Sequence, residues 1–407
     1  MNYLNNVRLE TNFYQDETDL TRTATKLVTL AIDQGKIAQI IEQTTTDYPK
    51  GEDMEGLLAV PTLKERHNHL DKTYMSLGWR ATTPVKSLKE RLALEAHELA
   101  LLAPSTQKRA TAMIEQLLSY GVSHIRTHVN IDPYVRLENF YGVKAALEAY
   151  QDRITYEIVA FPQHGYFLED TPQLMEQAMA EGADIVGGLD PAGIDFAIEE
   201  SIEAMIQLAL RYEKGIDIHL HDEGEVGVYT LETLLDQLEA VDFQHEVAIS
   251  HAFCLNSPNE GQRKELFKRL ANQKVQIMST VPYDLRDRRP PIDELLASGI
   301  AVHLGSDGFF DSWSSYVSGD LVEKIKAYSE VTGKITEEGL SQAYQLGCGV
   351  KHPFSFESEQ FWFRESDPAN LLFVPAASTA EFVARRPMKR KIMLQGKWVE
   401  QTRLLRY

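Results

Sequence analysis

The sequence predicts an α/β fold: a (β/α)₈ TIM barrel, with a small β-sandwich domain built from both chain ends. Three observations carry this expectation. Short apolar strand-like segments alternate with amphipathic helical stretches through the middle of the chain. Both ends read instead as hairpins. Residues able to hold a metal recur just where the apolar segments stop.

The first strand is the apolar run 57–61, centred on Val60. Further strands are expected at 123–129, 155–161, 183–187, 216–219, 246–250, 274–278 and 300–304. Helical periodicity separates them at 109–120, 173–180, 199–212, 231–238 and 263–271. The first of these stops at Gly121, a helix-ending residue. Eight such strands over about 250 residues fit βα units closing into a parallel barrel. The stretch between His69 and Ser123 is too long for one connection, so 84–101 reads as an extra helix that covers the barrel mouth.

At the amino end, 26–32 and 37–41 flank the turn Asp33-Gln34-Gly35-Lys36, a hairpin signal. At the carboxyl end, 370–374 and 391–394 precede Gln395-Gly396-Lys397 and Trp398-Val399. Residues 1–59 and 367–407 are therefore read as one composite β-domain, and 60–366 as a metal-dependent catalytic barrel.

Bulk properties narrow the function. A chain of 407 residues with 43% hydrophobic content can bury a large core. Its formal net charge of −19 argues against nucleic acid, whose phosphates need Lys and Arg, and against an anionic membrane surface. No run approaches the roughly 18 apolar residues of a membrane helix, and residues 1–13 lack a signal-peptide pattern. Two cysteines, Cys254 and Cys348, give no disulfide framework. A cytoplasmic protein acting on a small molecule is expected.

In a barrel of this kind the chemistry sits at the carboxyl ends of the strands. Strand one leads into Arg66-His67-Asn68-His69, where residues two apart in extended backbone point the same way. His67 and His69 can therefore aim at one ion. His219 ends strand five, His251 ends strand six, and Asp307 comes after strand eight. His67, His69, His219 and Asp307 are the expected metal ligands, with His251 beside them. Such a donor set suits one Zn²⁺ or Fe²⁺, which lowers the pKa of a bound water. Asp307 can then accept a proton from that water, and His251 can polarise it. Asp190, in the Leu189-Asp190-Pro191 loop after strand four, is a substrate-contact candidate, as is Trp313, and Asp311 also stands near the pocket. Asp71 and Lys72 are expected to pair at the rim, where such pairs contribute little.

This pattern of HxH, His, His and Asp resembles the amidohydrolase superfamily. Arg126-Thr127-His128-Val129, Val159-Ala160-Phe161-Pro162-Gln163 and the stretch from Asp307 to Trp313 resemble its cytosine-deaminase branch. The resemblance implies deamination of an amino-substituted nitrogen heterocycle by attack of metal-bound hydroxide. Hydrolysis of a cyclic amide at the same site is the alternative, and a non-catalytic ligand-binding protein a third. Two-metal relatives carry a Lys at the end of strand four, and 185–190 holds none, which implies one ion.

By resemblance Gln163 hydrogen-bonds the ring edge. The branch places a Glu three residues after the strand-five His, where this chain has Asp222, with Glu223 as a rival general acid. His164, Gly308 and Asn130 depart from the cytosine-deaminase pattern, each standing where that branch has an acidic residue. Relatives often assemble, so a homo-oligomer is compatible with this reading.

Overall fold

Two eight-stranded sheets organise the chain, one built by its ends and one by its middle. The computed structural model describes residues 1–43, 49–282, 289–316 and 318–400. The end-built sheet begins with β1 (Asn2–Gln15), β2 (Thr21–Asp33), β3 (Lys36–Glu42), β4 (Glu52–Asp53) and β5 (Leu58–Pro61). The barrel is formed by β6 (Leu63–Asn68), β7 (Val122–Asn130), β8 (Thr155–Phe161), β9 (Ile185–Leu189), β10 (Gly215–Leu220), β11 (Val247–His251), β12 (Gln276–Ser279) and β13 (Ala301–Leu304). Then β14 (Leu371–Val374), β15 (Lys391–Leu394) and β16 (Lys397–Trp398) return to the first sheet, where β14 pairs with β5.

The barrel strands run in sequential order and every pairing between them is parallel. Strands such as β9 and β11 are buried along their whole length, as a sheet covered on both faces requires. The covering helices include α1 (Leu88–Leu102), α2 (Thr106–Ser119), α3 (Glu138–Glu148), α4 (Thr171–Ala180), α5 (Ile198–Tyr212), α6 (Gly224–Ala240), α7 (Glu260–Asn272), α8 (Ile292–Ala297) and α9 (Leu321–Val331). Gly121 turns the chain from α2 into β7 at φ 90°, a left-handed conformation that favours glycine. No helix among the described residues is long and apolar enough to cross a membrane.

One strand differs from the expectation. The run around Val60 lies in the end-built sheet, where Val60 faces Leu372, and the barrel opens with β6. Only Thr62 separates β5 from β6, so the chain steps from one sheet to the next without a loop. Both strands are buried, and a continuous apolar run does not reveal which of two buried sheets will take it.

The barrel is sealed between its first and last strands. Asn68 bridges to Asp307 in parallel, and the Asp307 amide donates to the His67 carbonyl at 2.9 Å. The buried Glu65 carboxyl takes the Ser306 amide at 3.0 Å and the Ser306 hydroxyl at 2.5 Å. Gly305 allows this approach, because a Cβ there would lie 2.5 Å from that of His67.

The carboxyl-terminal segment is locked to the barrel by a buried ion pair. Arg390 holds both carboxylate oxygens of Asp320, at 2.9 and 2.7 Å, and Asp320 caps α9 through the Val322 amide. Removing one partner of such a pair strands the other charge. Arg390→Met is therefore expected to lower stability by about 3–5 kcal/mol, read from the shift in urea unfolding.

Candidate active site

The metal-capable residues meet at the carboxyl-terminal rim. His67 lies in the last turn of β6, His69 just beyond it, His219 near the end of β10, His251 at the end of β11, and Asp307 after β13. Asp307 Oδ1 stands 3.6 Å from His67 Nε2 and 3.4 Å from His69 Nε2. His69 Nε2 is also 3.4 Å from His219 Nε2. Ligand atoms of His67, His251 and Asp307 lie within 4.8 Å of one another, and so do those of His67, His128 and His219. The four expected ligands thus converge, and His251 joins them.

Sequence reasoning assigns His128 no role. It sits inside β7 with both ring nitrogens buried and unpartnered. Its signal was available: two residues after Arg126 in a strand, it shares that residue's inward face.

The donor set fits a divalent ion. His67 Nε2 is buried and has no protein partner. Burial, then the Lys72 charge, pushes His69 down to about 4. Burial, then His128, holds His219 well below the ordinary imidazole value. Burial alone would raise Asp307, but the His67 and His69 rings beside it, at 3.6 and 3.4 Å, hold it well below the usual carboxylate range. Neutral imidazoles and an ionised carboxylate are the forms that bind zinc or iron(II).

Buried hydrogen bonds orient these rings. Arg126 donates to Asp217 at 3.1 Å, and Ser250 Oγ donates to Asp217 Oδ1 at 2.8 Å. With its proton given to Asp217, Ser250 Oγ accepts from His67 Nδ1 at 2.8 Å. That fixes the tautomer whose free lone pair is on Nε2. His69 Nδ1 is similarly placed by the His128 carbonyl at 3.2 Å.

The cluster opens onto a cavity of ≈ 250 Å³. His69, His219, His251 and Asp307 line one part of it, with Phe161, Gln163 and Trp313 elsewhere on its wall. Lys72, His221, Asp311 and Lys324 also reach it. Gln163 Oε1 accepts from Lys72 Nζ at 2.5 Å, which leaves the Gln163 NH₂ group as a donor.

Lys72 is buried and pairs with Glu95 of α1 at 2.9 Å, whereas the Asp71 carboxylate binds the Asn130 amide and the Asn139 side chain. The expected rim pair is therefore replaced by an interior one. Glu95 also accepts from Trp313 Nε1 and Asn130 Nδ2, so the extra helix does reach the barrel mouth. Glu95 carried no sequence signal, because its role depends on where α1 folds back.

Asp190 is buried with φ 35° and holds His221 through its amide at 2.5 Å and its Nδ1 at 2.9 Å. His221, not Asp190, faces the cavity. Asp222 is half-buried, lies outside the lining, and accepts from the Gly193 amide at 3.3 Å. Glu223 is exposed. His164 is occupied by Asp132 at 2.9 Å and by the Leu92 carbonyl at 3.2 Å.

A histidine and carboxylate donor set on the rim of a parallel barrel places this chain among metal-dependent hydrolases. It belongs to the amidohydrolase family, whose model matches residues 50–391. It is a metal-dependent hydrolase of carbon–nitrogen bonds. The chain is 37% identical over 392 residues to the protein YahJ of Escherichia coli strain K12, covering 94% of this chain and 84% of that one. It is 29% identical over 296 residues to N-isopropylammelide isopropyl amidohydrolase of Pseudomonas sp. strain ADP, covering 71% and 72%. The crystal structure of N-isopropylammelide isopropylaminohydrolase from Burkholderia multivorans ATCC 17616 superposes with a TM-score of 0.84 at 30% identity, covering 98% of both chains.

Ser250→Ala removes the acceptor that sets the His67 tautomer. It is expected to weaken metal affinity about 10–100-fold while leaving the fold intact, read by chelator competition.

Proposed function

We propose that this amidohydrolase deaminates an amino-substituted nitrogen heterocycle, using one divalent ion, Zn²⁺ or Fe²⁺, held by His67, His69, His219 and Asp307. The supporting observation is the cavity itself. The ligand cluster opens onto a space of ≈ 250 Å³, below the roughly 300–1,000 Å³ of drug-sized pockets. That space suits a single ring. Phe161 and Trp313 offer flat apolar surfaces, and the Gln163 NH₂ group can donate to a ring nitrogen or oxo group. Relatives named as hydrolases of N-isopropylammelide support the same reading.

An ion bound here supplies Lewis-acid activation of water. Asp307 accepts the proton of the attacking water, and His251, on the cavity wall, stabilises the oxygen that forms. Asp222 is assigned delivery of a proton to the departing nitrogen. Burial, then the neighbouring Asp190 carboxylate, pushes its carboxyl up toward the protonated form. It must turn away from the Gly193 amide to deliver that proton. Two buried free cysteines suit a reducing cytoplasm.

Metal-loaded protein is expected to release ammonia from one or more members of a panel of aminated pyrimidines, triazines and pterins. Silence across that panel would sink the deaminase reading, and a carboxylate product without ammonia would give cyclic-amide hydrolysis instead. His67→Ala should lose bound metal and activity together. Asp222→Asn should keep its metal but lose about 10²–10⁴-fold in kcat/KM. A fully active Asp222→Asn beside an inactive Glu223→Gln would pass the proton-donor role to Glu223.

A further inference from the structure

The cavity holds two buried lysines in unlike circumstances. Lys72 reaches the end of β8, where its ammonium meets Gln163 and the Glu95 carboxylate. Lys324, from α9, reaches the end of β12 and donates to the Thr280 carbonyl at 2.6 Å. β8 and β12 are four strands apart in a ring of eight, so the two ammonium groups stand across the mouth from each other.

Lys324 is only 6% exposed, and among the described residues no carboxylate forms an ion pair with it, the Asp307 and Glu65 charges acting from farther off. One carbonyl satisfies one of its three donors. Burying an ammonium costs several kcal/mol unless a counter-charge offsets it. The neighbouring Lys72–Glu95 pair shows how this same cavity neutralises a cation that needs no ligand. In a chain of net charge −19, carboxylates to pair with Lys324 are plentiful. Lys324 lines the space a ligand would fill, on the side away from Gln163.

We propose that Lys324 recognises an anionic oxygen on the substrate ring, so that the substrate class is an acidic, oxo-substituted nitrogen heterocycle bound as its anion. This rests on the heterocycle reading above and narrows it. Gln163 donates to one edge of the ring, and Lys324 pairs with the ionised oxo group on the opposite edge. The amino-bearing carbon is then left facing the metal ligands. A neutral ring of the same shape lacks the charge that Lys324 awaits.

The test measures binding and needs no turnover. Barbiturate, an anion at neutral pH, and uracil, a neutral ring of similar shape, are titrated calorimetrically into metal-loaded wild type and Lys324→Met. Barbiturate is expected to bind wild type more tightly than uracil does, and Lys324→Met to weaken barbiturate about tenfold or more with uracil unchanged. Should Lys324→Met fail to fold, Lys324→Gln, which keeps a donor for Thr280, carries the same comparison.

Barbiturate binding within twofold in both proteins overturns the proposal, because the anion would then be held by the metal or by Lys72. Failure of barbiturate to bind wild type overturns it too. A protein that binds barbiturate through Lys324 but releases no ammonia from any of the aminated heterocycles defeats the deaminase reading alone. One that deaminates neutral rings and ignores the anion defeats this inference alone.

Discussion

The seam between β6 and β13 is the constraint on which the site depends. Glu65 and Ser306 are 241 residues apart in sequence, yet hydrogen bonds of 2.5–3.2 Å join them there. The same seam sets the His67 carbonyl against the Asp307 amide. Without it His67 and His69, at the end of β6 and just beyond it, and the carboxylate after β13 would belong to opposite edges of an open sheet. Burial pushes the Glu65 carboxyl up to about 7, against the Ser306 and His67 donors that favour its ionised form.

Closure also stores strain where the chemistry sits. Asp190, His251, Ala252 and Asp307 all adopt positive φ without being glycine. Asp190, His251 and Ala252 end or immediately follow a barrel strand, and Asp307 comes three residues after β13, where the chain turns at the mouth. Such conformations cost of order 1–3 kcal/mol each and persist only when the surroundings over-determine them. The surroundings here include the Asp190–His221 contact and the Arg126–Asp217–Ser250–His67 chain, both anchored in buried structure.

Much of this was legible in the residue order because the chemistry lies at strand ends. The strand at 155–161 and the convergence of His67, His69, His219 and Asp307 could be found by locating apolar runs and inspecting the polar residues at their carboxyl ends. The remainder was hidden for identifiable reasons. Val60 and Leu63 belong to adjoining buried strands of different sheets, and hydrophobicity does not distinguish them. His128 lies within a strand and not after it. Glu95, Lys72 and Lys324 acquire their surroundings only when α1 and α9 fold over the mouth. The family resemblance located Asp222, while its orientation toward Gly193 depends on a loop 29 residues away in sequence.

Gly308 links two positions that otherwise look independent. A Cβ there would lie 2.1 Å from Asp311 Oδ2, an oxygen that is buried without a partner. Any bulkier residue at 308 therefore requires Asp311 to vacate its inward rotamer. Divergence at these two sites should proceed by paired replacement, with single exchanges selected against, so that new ring preferences in this lineage arise through concerted steps.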